Sequence, residues 1–378
     1  MKAKSIFILS VVIFLFGIGT LIFYNSPILI SFGRENKTTD NLITLGYTEN
    51  EVKKLKSSIY FKDIENVEYS KTLASALDND YMEQYTKNYL KIEYHEIDNF
   101  INYVNELLNK DYTNEEINLI FKKLSKDNLD DLIKKEKDSE FITYLKNDYF
   151  KYEDLERYKN YKAKNSDYDY DTVVMYVNIG IDKDFYTDIE TIEDPDDMLV
   201  LVNKYHGLPS NWNASNLVTV SSKYSYNGQK MNAIAAEALT QMIDDMRELG
   251  YTMWLVSGYR SEDYQYGLYN YYVRTQTQAV ADRTSARPNH SEHQTGLAAD
   301  ISNIQGSIDH FANTEEYLWL KDNAHKYGFI ERYPKDKEFL TGYDYEPWHY
   351  RYLGVDIATK IHDEQITYEE YVIKYLNK

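Results

Sequence analysis

The chain has 378 residues, with 61 acidic against 42 basic side chains for a formal net charge of −19, and it contains no cysteine. That length accommodates two or three domains and at least one substantial core. The acidity argues against nucleic-acid partners, which need a basic surface to neutralise phosphate, and the lack of cysteine excludes disulfides, thiolate nucleophiles and Cys-rich zinc sites, so histidine and carboxylate must carry any metal chemistry.

Residues 1–37 read as an N-terminal membrane anchor and its flank. Lys2 and Lys4 precede an uncharged, mostly apolar run at 6–32, and the next charge is Arg34. As a helix this run is long enough to cross about 30 Å of hydrocarbon. The residues from Phe23 to Ile28 offer no good cleavage site, which favours an uncleaved transmembrane helix over a signal peptide. Lys2 and Lys4 on one side against Arg34 and Lys37 on the other barely orient it.

Residues 38–165 are rich in Lys, Glu, Asn, Asp and Tyr, with Ile97, Ile101, Val104 and Leu108 at helical spacing. They are expected to form small packed helices. Gly46-Tyr47-Thr48-Glu49-Asn50-Glu51 is echoed by Asp111-Tyr112-Thr113-Asn114-Glu115-Glu116. In each, the Thr can cap a helix, the Glu three positions on can complete a capping box, and the preceding Tyr can staple the first turn. The echo fits a helical repeat or an ordinary succession of capped helices. The composition suits a spacer, or a stalk that binds a protein partner, better than a catalytic unit.

The polar stretch at 162–171 marks the expected boundary of a third region, 166–378. There, 172–177 reads as a strand, 232–249 as an amphipathic helix ending before Gly250, and 252–256 as a strand delivering Ser257-Gly258-Tyr259-Arg260-Ser261 at its end. Ser261 is the expected cap of the next helix. Strands at 297–301 and 348–352, and a helix at 315–327 closed by Gly328, complete the set. Helices and strands without regular alternation predict an α+β class.

Two segments concentrate the chemistry: SEHQTGLAAD at 291–300 and EPWH at 346–349. A zinc ion that catalyses hydrolysis needs three protein ligands and an open position for water. His293, Asp300 and His349 can supply the ligands, and Glu346 can take the proton from the water. Gly296 would permit the turn that brings His293 and Asp300 to one ion, while Pro347 fixes the backbone between Glu346 and His349. If Glu346 were instead a fourth ligand, the site would be closed and structural. Arg260, at the mouth of a strand, is suited to a carboxylate or an oxyanion. Gln265 and Ser291 are polar groups near the same elements, suited to peptide substrate. His290 reads as a bystander.

Together with the run at 257–261, the longer stretch EPWHYRYLG at 346–354 and the segment SEHQTGLAAD resemble the VanY-type D,D-carboxypeptidase and L,D-carboxypeptidase family of bacterial cell-wall zinc peptidases. The resemblance covers roughly residues 173–352. It implies a small zinc carboxypeptidase domain with mixed helices and an antiparallel sheet. It places Zn2+ on His293, Asp300 and His349, the general base on Glu346, and substrate or transition-state binding on Arg260, with contacts from Gln265 and Ser291. The implied partner is a peptidoglycan stem peptide, met outside the membrane to which the chain would be anchored. Lys230-Met231-Asn232 departs from relatives that carry an arginine before the Ala-rich helix, and leaves the metal set untouched. Release of terminal D-alanine from a pentapeptide stem is the favoured activity; the alternatives are L,D-carboxypeptidase action on a tetrapeptide stem and a non-catalytic wall-binding module.

Overall fold

Thr48 and Thr113, which head the two echoed segments, cap their helices in the same way in the computed structural model, which describes residues 39–64, 68–304 and 307–376. The Thr48 side chain accepts from the Glu51 backbone N–H at the head of helix Glu49–Ser57, and Thr113 accepts from Glu116 at the head of Asn114–Lys123; both are complete capping boxes. Tyr47 and Tyr112, the stapling residues, are buried. Helix Phe100–Asn109 buries Ile101, Val104 and Leu108, with Ile97 in the turn before it. The chain divides into two units, 1–152 and 153–378. The polar stretch at 162–171 falls inside the second, where it joins two packed helices, Leu155–Lys164 and α1 (Tyr170–Ile179).

That α1 is a helix corrects the strand expected at 172–177. A short continuous apolar run does not reveal its own period. The ends decide: the Asp169 side chain accepts from Thr172 N at 2.7 Å, and Gly180 closes the helix at φ 101°. Val173, Val174 and Val177 then share one buried face.

The transmembrane element of the expected fold is also corrected. Among the described residues no helix is long and apolar enough to cross a membrane. The longest, α2 (Ala233–Glu248), has 16 residues, short of the roughly 20 that a span needs, and its outer face is charged. The run at 6–32 lies outside the described residues.

The second unit is built on a four-stranded antiparallel sheet of β3 (Trp254–Ser257), β4 (Ala298–Ser302), β5 (Phe329–Glu331) and β6 (His349–Tyr352), in the order β3-β4-β6-β5. A short antiparallel pair, β1 (Leu217–Thr219) and β2 (Lys230–Asn232), precedes α2, and a two-residue parallel pair joins Glu190–Thr191 to His206–Gly207. Side chains alternate across a strand. Leu255, Ala299, Ile301, Tyr350 and Tyr352 therefore face one side, where Leu239, Met242, Ile243 and Met246 of α2 pack on them. Asp300, His349 and Arg351 face the other. After helix α3 (Glu262–Thr275), capped by Ser261, the chain continues through α4 (Glu315–Asn323) to α5 (Val355–Glu364) and α6 (Tyr368–Tyr371). Residues of α5 and α6 pack with Ile330 and Leu353 in a second apolar cluster.

Candidate metal centre

Register brings the first two groups together. Asp300 on β4 is the cross-strand partner of His349 on β6, and Ser257 at the end of β3 is the partner of Asp300 on its other side. Directly opposed residues put their side chains on the same face a few ångströms apart. The third group comes from a short 3-10 turn, Glu292–Thr295, which Gly296 ends at φ 74°. A Cβ on Gly296 would lie 2.7 Å from Leu217 Cδ2 and 3.0 Å from Asn232 N, so only glycine fits both the backbone and the space. Gly258 meets β2 as closely, since a Cβ there would sit 2.2 Å from the Lys230 carbonyl oxygen. That approach sets the Gly258 carbonyl to accept from His293 Nδ1 at 2.7 Å.

The free nitrogens converge. His293 Nε2 lies 3.3 Å from Asp300 Oδ1, and His349 Nδ1 lies 3.1 Å from the same oxygen. One donor atom from each residue falls within 4.8 Å of the others, and all three residues are buried. Two donors each about 2.1 Å from a tetrahedral zinc are about 3.4 Å apart, so the observed spacing fits that ion. The Glu346 Oε2 atom is 3.7 Å from His349 Nδ1. Its backbone N–H donates to Tyr333 O and its carbonyl accepts from His349 N, a turn that delivers His349 into β6. Arg260 Nε donates to Ser257 Oγ at 2.9 Å, and its Nη2 pairs with Asp300 Oδ2. The Asp300 carboxylate is thereby divided, one oxygen toward the histidines and the other toward Arg260.

Burial and neighbouring charge separate the titrations. Burial, helped by Arg260, lowers the His293 imidazole to about 4. Burial opposes the charged form of His349 too, but the facing carboxylates of Asp300 and Glu292 raise it to about 9 in the metal-free site. Asp300 stays well below the ordinary carboxylate range despite burial, because His293 and Arg260 face it. Glu346 goes the other way: burial lifts it to about 7. One carboxylate is thus kept charged among cations and another is poised near neutrality, the division of labour that a ligand and a general base require.

These groups line a cleft of about 800 Å³ that also includes Gln265 and Ser291. Gln265 Nε2 donates to Ala286 O at 2.8 Å, while its buried Oε1 has no hydrogen-bond partner among the described residues. His290 stands apart from the set, with Nδ1 at 2.7 Å from Asn203 O. Sequence reasoning passed over Glu292, Arg332 and Arg351, which form a buried charge cluster beside His349. Arg351 was accessible from the pattern, since it stands two residues after His349 on a strand and shares its face. Arg332 offered no such signal.

Residues 228–355 match the family model described as VanY, D-alanyl-D-alanine carboxypeptidase. A Bacillus subtilis (strain 168) protein, the candidate carboxypeptidase YodJ, is 42% identical over 193 residues, covering 49% of this chain and 71% of that protein. A D-alanyl-D-alanine carboxypeptidase of Enterococcus faecalis (strain ATCC 700802 / V583) is 36% identical over 183 residues, covering 46% of this chain and 65% of its relative. Among solved structures, the LdcB LD-carboxypeptidase is 41% identical, with a TM-score of 0.46, over 50% of this chain and 92% of that one. The 42% identity to the Bacillus subtilis relative, 71% of whose length is covered, and the family match over 228–355, which contains Arg260, His293, Asp300, Glu346 and His349, show that this chain belongs to the VanY-type D-alanyl-D-alanine carboxypeptidase family.

Proposed function

We propose that the cleft removes the terminal D-alanine from peptidoglycan stem peptides, with zinc held by His293 Nε2, Asp300 Oδ1 and His349 Nδ1. The observation that carries this reading is a buried three-donor set sharing its cleft with Glu346, a carboxylate that burial raises to about 7. A zinc ion held there would supply Lewis acidity toward the scissile carbonyl and would acidify the attacking water. Glu346 takes the proton from that water as it adds to the carbonyl, and returns it to the amine of the departing D-alanine. Arg260, at the cleft wall, presents a guanidinium to the developing oxyanion or the substrate carboxylate. Gln265 Oε1, an acceptor without a partner among the described residues, suits a substrate N–H.

The family description supports D,D over L,D specificity. Incubating the zinc-loaded protein separately with pentapeptide and tetrapeptide stems, and following D-alanine by mass spectrometry, tests it. Release from the pentapeptide, abolished by a chelator and restored by zinc, is expected. Release from the tetrapeptide alone would move the assignment to L,D-carboxypeptidase, and release from neither would overturn the enzymatic reading. The same reading puts the working unit on the outer side of the membrane, where peptidoglycan lies. Residues 39–152 contribute none of the site groups, which leaves them a spacer or partner-binding role.

A further inference from the structure

Glu292 immediately precedes the ligand His293, and its side chain is wholly buried. Its Oε1 atom accepts two hydrogen bonds, from Arg332 Nε at 2.8 Å and from Arg351 Nη1 at 3.1 Å. Both guanidiniums are as buried as the carboxylate. Arg332 is satisfied on its other side by Glu369 of α6, at 2.9 and 2.6 Å, and Arg351 by the carbonyls of Met198 and Val200. Two arginines and two glutamates make the cluster neutral. One acceptor is left over: among the described residues Glu292 Oε2 has no hydrogen-bond partner. It faces His349 Nε2 at 3.5 Å, and that nitrogen is likewise buried, with no hydrogen-bond partner among the described residues.

The other nitrogen of His349, Nδ1, faces Asp300 and Glu346. An imidazole that gives Nδ1 to a metal must carry its remaining proton on Nε2, and a carboxylate there fixes the tautomer and makes the ring a stronger donor. The second ligand histidine has only a backbone carbonyl in the corresponding place, Gly258 O on His293 Nδ1. Had the cluster served packing alone, the arginines would have engaged both Glu292 oxygens, since a buried unpaired carboxylate oxygen is costly. We propose that Glu292 is the positioning residue of the metal centre: it holds His349 with the proton on Nε2 and Nδ1 open to zinc, while Arg332 and Arg351 keep the carboxylate charged and immobile. This rests on the zinc reading of the site.

The test uses the full chain, with Glu292→Gln compared with Glu369→Gln, which removes the other carboxylate on Arg332 and has no contact with His349. Zinc affinity is measured by competition with a chromophoric chelator, and the ligand field by the visible spectrum of the cobalt(II)-substituted protein. Glu292→Gln should weaken zinc binding by about 10- to 100-fold and shift the cobalt bands, while Glu369→Gln stays within about threefold of the parent and keeps its spectrum. Parental affinity and spectrum in Glu292→Gln would overturn the proposal, as would equal losses in both variants that track their thermal unfolding. Nitrogen-15 NMR of the histidines in the zinc-loaded parent decides the matter even if Glu292→Gln does not fold. A proton on Nε2 of His349 supports the assignment, and a proton on Nδ1 refutes it. A parent that binds no zinc overturns the zinc reading itself, an outcome distinct from all of these.

Discussion

Glu346→Gln separates the two roles open to that residue, general base and fourth ligand. The carboxyl oxygen lies 3.7 Å from His349 Nδ1, whereas Asp300 Oδ1 lies 3.1 Å from the same nitrogen and 3.3 Å from His293 Nε2. Asp300 therefore shares the histidines' focus and Glu346 stands beside it. The amide preserves shape and removes the basic oxygen, so zinc content should stay near one per chain. Loss of a general acid–base group costs about 10²- to 10⁴-fold, or about 3–5 kcal/mol of transition-state stabilisation. The assay is kcat/KM for D-alanine release from a pentapeptide stem, with metal content determined on the same sample. The base must be ionised, so the parental rate falls as pH drops through its pKa. Burial sets that value at about 7 without metal, and a bound cation pulls it down from there, which places the acid limb at or below neutrality. Full zinc with activity within tenfold of the parent would refute the base assignment, and loss of zinc in step with activity would make Glu346 a ligand.

Three further substitutions probe the frame. Gly296→Ala puts a Cβ 2.7 Å from Leu217 Cδ2 at a φ of 74°; it should cost roughly 1–3 kcal/mol and weaken zinc binding through His293, and an unchanged Tm with parental zinc affinity would contradict this. Burial lowers the ammonium of Lys204 to about 7, so the unfolded chain binds more protons than the native one between about 7 and about 10, and stability rises with pH across that window. Below it the penalty is fully present, up to about 5 kcal/mol before cation–π contact with Tyr343 at 3.5 Å offsets part. Lys204→Met should accordingly be more stable than the parent at pH 6 by denaturant melts, with the gap closing toward pH 10; a gap that widens with pH would contradict the argument. Thr113→Ala removes one capping box and should cost about 1 kcal/mol, read as faster amide exchange in helix Asn114–Lys123, where unchanged protection would count against it.

Local signals proved reliable where a capping residue or a glycine was read together with the run it bounds. Ser261 caps α3, Asn232 caps α2 and Gly328 closes the 3-10 turn after α4, each within short reach of the residues that announce it. The segment at 172–177 went astray because its valines suit either period, and the deciding Asp169 and Gly180 lay outside the window that prompted a strand. The N-terminal apolar run had only its own composition to speak for it, and the described helices contain no membrane span.

The site divides along the same line. Residue type and order sufficed to nominate His293, Asp300, His349, Glu346 and Arg260, because zinc accepts few donors and a hydrolytic site needs one carboxylate more than its ligands. Which nitrogen each histidine offers could not be read there. It depends on the register that sets Asp300 against His349, on Gly258 reaching His293, and on Arg332 and Arg351 holding Glu292 behind His349. Those partners are brought together by strand pairing and by the packing of α2 on the sheet's opposite face, long-range contacts that no local spacing encodes.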